Sequence, residues 1–130
     1  MPPLFLTKNE MKKEIYDYQR SLKSATWLHH LDFYEREKKK GAGKGKKSFY
    51  TWEFLPGCNI STYLKELKDV NPRQYALNLI FIEFEDMKND RWWDTPEYRS
   101  KAIKVYKSYI NKIKNEYGLS FEDVKEFYNL

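Results

Sequence analysis

The sequence predicts an all-α fold, a small single-domain bundle of four or five helices spanning residues 1–130, and three observations predict it. Apolar residues recur three and four positions apart through most of the chain. Ser, Thr or Asn stands just before several of these segments, twice with proline in the first helical position. A chain of 130 residues can also bury one apolar core without disulfides or a structural metal.

Thr7 caps a first helix beginning near Lys8, with Met11, Ile15, Tyr18, Leu22 and Ala25 on its core-facing stripe. The aromatic-rich residues 27–34 extend it until the charges of residues 35–40 take over. Residues 38–47, KKKGAGKGKK, hold six lysines and three glycines, which repel and cannot pack, so a mobile surface loop is expected. Residues 49–55, FYTWEFL, fit a short strand or a helix. Pro56, Gly57 and Asn59 mark a turn, and Ser61 or Thr62 caps a helix running through Val70.

Asn71 and Pro72 open a helix whose Tyr75, Leu77, Leu79, Ile80, Phe81, Ile82 and Phe84 surround its axis, which requires a central position. The run LIFIEF within it is also β-rich, and a strand is the alternative there. Thr95 and Pro96 repeat the cap-and-proline signal for a helix that Gly118 stops. Ser120 with Asp123 matches a capping box for a last helix with Phe121, Val124 and Phe127 on its apolar side.

The net charge of +5 is unevenly spread: Lys plus Arg outnumber Asp plus Glu by 12 to 6 in residues 1–50 and by 7 to 3 in residues 91–117. Residues 51–90 are acidic, 4 against 7, so two basic segments flank an acidic one, an arrangement that suits a polyanion partner. Cys58 is the sole cysteine, which excludes an intramolecular disulfide and points to a cytoplasmic setting. The opening residues lack the basic and long apolar regions of a signal peptide, and no apolar run approaches a membrane span.

The residues that bear on function are mostly lysines. On a helical wheel at about 100° per residue, Tyr98, Ala102, Val105, Tyr106, Tyr109, Ile110, Ile113 and Tyr117 fill one arc of the helix beginning at Pro96. The opposite arc carries Lys101, Lys104, Lys107, Lys112 and Lys114, with Glu97 its acid, in the first turn where the helix dipole favours one. Solvated helix faces usually mix signs, and a face of like charges repels itself until a polyanion neutralises it.

Lys38, Lys39, Lys40, Lys44, Lys46 and Lys47 of the glycine-lysine loop, and Arg91, complete the candidate DNA-binding set. The loop is not a nucleotide-binding P-loop, because its glycine spacing is one residue short and Lys47 stands where the hydroxyl belongs. Trp92 and Trp93 are candidates for stacking on unpaired bases, with one indole expected to pack inward and the other to stay near the surface.

Other candidates carry less. His29 and His30 would point about 100° apart on a helix, poor geometry for a shared metal. Cys58 has no metal-ligand spacing around it. Glu83, Glu85 and Asp86 read as a solvated acidic face or a protein-docking site. With no nucleophile and base, or pair of acids, at a recognisable spacing, the chain is not expected to be an enzyme, and neither a cofactor nor a metal is expected.

The stretch LIFI at residues 79–82, then Asp90 and Trp92, then Tyr106, Tyr109 and Ile110, then Lys114, Asp123 and Val124, resembles the helicase-loading proteins of T-even-type bacteriophages, with one residue inserted after the tryptophan. Trp93, Tyr98, Ala102 and Tyr109 are spaced as in the later part of an HMG box, to which the N-terminal half of those loaders is similar. The resemblance covers residues 63–124 and leaves residues 1–60 unmatched. It implies an all-helical, HMG-box-like domain of phage origin that binds forked DNA. The same resemblance implies a role in DNA replication, placing a replicative helicase on single-stranded DNA alongside a single-strand-binding protein.

The reading is a basic, non-catalytic DNA-binding protein that grips phosphate backbone and is selective for forked or single-stranded DNA. The alternative is a protein-interaction or inhibitor module whose basic face docks an acidic protein surface. A small nuclease ranks last.

Overall fold

The computed structural model describes residues 6–21 and 59–130, and among them every regular element is helical. In chain order these are α1 (Lys8–Ser21), α2 (Asn59–Val70), α3 (Pro72–Lys88), α4 (Pro96–Tyr117) and a short α5 (Phe121–Val124) that runs into a 3-10 turn at Lys125–Phe127. The glycine-lysine loop, residues 49–55, His29, His30 and Cys58 lie outside the described residues.

Each start follows from local chemistry. The Thr7 hydroxyl accepts the Glu10 N–H at 3.1 Å while Glu10 accepts the Thr7 N–H at 3.0 Å, so α1 opens with a complete capping box. Met11 and Ile15 then face the core. Helix α2 begins at Asn59, two residues before the expected cap, and Ser61 lies buried inside it. The Asn59 N–H instead donates to the Glu14 carboxylate of α1 at 3.2 Å, so a tertiary contact supplies what the local caps were expected to supply.

Asn71 caps α3 by accepting the Gln74 N–H at 3.1 Å, with Pro72 in the first turn as expected. The β-rich run LIFIEF is helical. Tyr75, Ala76, Leu79, Ile80, Phe81 and Ile82 are all buried because α3 packs against α1, α2 and α4 and uses most of its circumference. Its acids are covered too: Glu83, Glu85 and Asp86 are no more than 7% exposed. This corrects the expectation of a solvated or docking acidic face: the more exposed stripe of α3 carries Gln74, Leu77, Phe84 and Lys88, and the three acids are buried beside it.

Thr95 takes the cap position of α4, though its hydroxyl makes no capping bond. At the other end Gly118 adopts φ 64°, and the Leu119 N–H reaches back to the Lys114 carbonyl at 2.9 Å, a closure that glycine makes without strain. Ser120 and Asp123 form the expected reciprocal box for α5, and Asp123 is also paired with Arg73 of α3. Val124 and Phe127 are buried, whereas Phe121 is exposed and lies against Tyr128.

The two boxes give the fold an acid sensitivity with a definite sign. Hydrogen bonds from the backbone and hydroxyl of Thr7 hold the Glu10 carboxyl below its ordinary value of 4.5. Those of Ser120, then the Arg73 charge, do the same for Asp123 relative to 3.8. Groups with lowered folded pKa values contribute stability that is present above these ordinary values and is lost as pH falls through the folded ones. Thermal melts followed by far-UV circular dichroism from about pH 5 to pH 2 should therefore show declining stability. The decline should be shallower in Glu10→Gln and Asp123→Asn.

Candidate nucleic-acid interface

Helix α4 is anchored through one side, and its other side is largely exposed apart from Asn111, which accepts the Tyr128 hydroxyl. Ala102, Tyr106, Ile110 and Ile113 are buried, and Tyr98, Val105, Tyr109 and Tyr117 pack partly against the same core. Tyr106 is fixed hardest: its hydroxyl donates to the Ile80 carbonyl of α3 at 2.7 Å. This anchoring determines which side chains face outward. Lys101, Lys104 and Lys112 are exposed, and Lys107 and Lys114 are partly buried on the flank.

Lys101, Lys104 and Lys107 follow one another at intervals of three, so they form a ridge oblique to the helix axis with neighbouring Cβ atoms about 5–6 Å apart. Some lysines on the other helices have acids close by: Lys13 meets Asp17 at 3.1 Å, Lys88 meets Glu85 at 3.5 Å and Lys125 meets Glu122 at 2.9 Å. Among the described residues no acid pairs with Lys101, Lys104, Lys107 or Lys114. Lys112 and Arg91 are each engaged by another group, which leaves those four as the core of the face. Glu116 is exposed in the last turn of α4, at the azimuth of Tyr98 and off the lysine arc. The basic face therefore has one acid, Glu97, in its first turn and none beyond it.

The turn before α4 is organised by Asp90, which is 4% exposed. One of its oxygens accepts the Trp92 N–H at 2.9 Å, and the other accepts the Tyr98 hydroxyl, tying the turn to the first turn of α4. Trp93 is partly buried against the core, with the Arg99 guanidinium 5.2 Å from its ring and Arg99 Nε donating to its carbonyl at 2.9 Å. Trp92 is turned outward and is 49% exposed. The expected division of labour between the two indoles holds, and it leaves Trp92 as the stacking candidate, since Arg99 covers Trp93.

The sequence marks Asp90 and Tyr98 through the family resemblance and Tyr98 through the apolar arc, but not the hydrogen bonds by which Asp90 joins Tyr98 to the Trp92 backbone. An aspartate two residues before an indole is a signal for an Asx-type turn and was available. Of the remaining candidates, Lys38, Lys39, Lys40, Lys44, Lys46 and Lys47 fall outside the described residues. Among the described residues no cluster of His, Cys, Asp and Glu is suited to a metal ion, and no helix is long and apolar enough to cross a membrane. The chain matches no protein-family model, and neither a curated protein nor a solved structure is significantly similar to it.

Proposed function

We propose that this chain is a non-catalytic DNA-binding protein that grips phosphate backbone through α4. The carrying observation is the row of lysines without acidic partners on a helix whose other side is locked into the core. Neighbouring like charges on a helix cost about 0.2–0.5 kcal/mol per pair. A phosphate strand converts that cost into gain by displacing its own counterions. Lysine contacts of this kind set position and orientation and do not read bases, so selectivity is for the shape of the nucleic acid. The resemblance of residues 63–124 to phage helicase-loading proteins supports forked or single-stranded DNA as the target, with a replicative helicase and a single-strand-binding protein as partners in replication.

Fluorescence-anisotropy titrations with single-stranded, duplex and forked DNA at several salt concentrations test this. Binding should weaken steeply with salt. Changing Lys101, Lys104 and Lys107 together to Ala should flatten the log–log salt slope on duplex DNA by up to about 2.7, the equivalent of three phosphate contacts. Absence of binding to all three forms at low salt would overturn the reading in favour of a protein-docking face.

A further inference from the structure

We infer that Trp92 is a stacking platform for an unpaired base, so that the lysine face of α4 takes single-stranded nucleic acid in preference to duplex. The inference rests on the phosphate-binding reading of α4 and names the ligand class for that same surface. Three observations carry it.

First, Trp92 is 49% exposed, and among the described residues its indole makes no aromatic or cation–π contact. Its neighbour Trp93 is covered by Arg99 at 5.2 Å, so one π-face is offered and the other is occupied. Second, the exposed ring does not sit on a loose loop. The backbone N–H of Trp92 is held by the buried Asp90 carboxylate, the Thr95 N–H returns to the Trp92 carbonyl at 2.9 Å, and Asp90 is held in turn by Tyr98 of α4. A backbone held in this way leaves only the side-chain torsions of the indole to be ordered when a base settles on it.

Third, Trp92 lies at the end of α4 where the lysine ridge begins. Lys101 and Lys104 stand about 7 and 12 Å along the axis from Pro96, a span of the order of a few nucleotides. On this inference a single strand places a base on the indole and runs its phosphates along the ridge. A duplex cannot present a base face without first unstacking a step, which costs a few kcal/mol.

The experiment compares wild type, Trp92→Ala, Trp92→Leu and Trp92→Phe on oligothymidylate, oligouridylate and an abasic deoxyribose-phosphate strand of the same length, with duplex DNA as the fourth ligand. Stacking on one base corresponds to about a 5- to 150-fold affinity difference. The Ala and Leu variants should lose that factor on oligothymidylate beyond whatever they lose on the abasic strand. Phe should keep most of it, because it retains a ring. Equal behaviour on the two pyrimidine strands would mean that the site reads the base and not the sugar, as stacking requires; preference for one by more than the stacking factor would overturn the base-platform account. If Ala, Leu and Phe weaken oligothymidylate and abasic binding alike, stacking is overturned and the phosphate reading stands. If wild type binds no strand at low salt, both fall together.

Discussion

Replacing Tyr106 with Ala should destabilise the protein by about 3–5 kcal/mol, the range for removing a large aromatic from a packed core. Tyr106 is fully buried, lies 5.7 Å from Phe84 and 6.3 Å from Tyr109 between ring centroids, and its hydroxyl bonds to the Ile80 carbonyl. Its hydroxyl and ring tie the lysine-bearing helix to the central one. A loss of that size is a large share of the roughly 5–15 kcal/mol that holds a domain together, so urea titration should show a much lower midpoint.

Tyr106→Phe keeps the ring and loses the hydrogen bond, at about 1 kcal/mol. It also separates a second effect. Burial, reinforced by the nearby charges of Glu83, Glu85 and Glu126, pushes the Tyr106 hydroxyl well above its ordinary value of 10.0. The unfolded chain then releases this proton before the folded one does. Stability is unaffected below about pH 10 and falls above it by about 1.4 kcal/mol per pH unit from this one group. The Phe variant should lack that component of the alkaline decline. Identical slopes in the two proteins above pH 10 would show that Tyr106 is not held neutral by its surroundings.

Where the sequence was legible, one local rule determined the outcome. Asn71 with Pro72, Ser120 with Asp123, and Gly118 each satisfy helix-end groups within a few residues, and the structure uses each of them in that way. The two faces of α4 were readable because one tyrosine- and isoleucine-rich arc and one lysine-rich arc leave a single way to dock the helix. Where tertiary contacts decide, local reading failed. The start of α2 is set by Glu14 reaching across from α1, a partner 45 residues away, and so Ser61 is buried inside the helix that it was expected to cap. The acids of α3 read as a solvated face because carboxylates usually are one, and only the packing around α3 shows them buried. Within the candidate site the lysine row was visible in the sequence. The absence of acids beside it, and the Asp90 contacts that set the two tryptophans apart, depend on which side chains meet in space.

Asp90→Ala should cost about 3 kcal/mol, since it removes a buried charged acceptor and leaves the Trp92 N–H and the Tyr98 hydroxyl without it. Asp90→Asn keeps one carbonyl oxygen for the Trp92 N–H and should cost closer to 1 kcal/mol. Destabilisation alone would mark Asp90 as structural, so the informative measurement is binding, made where each variant remains folded. If Asp90 positions the indole, its Ala variant should lose discrimination between oligothymidylate and an abasic strand while keeping the salt slope that the lysines set. Asp90→Ala combined with Trp92→Ala should then bind no more weakly than Asp90→Ala alone, because the second change removes a platform that the first has already released. Additive losses would mean that the two residues act independently, and Asp90 would be a stabilising residue without a part in placing the ring.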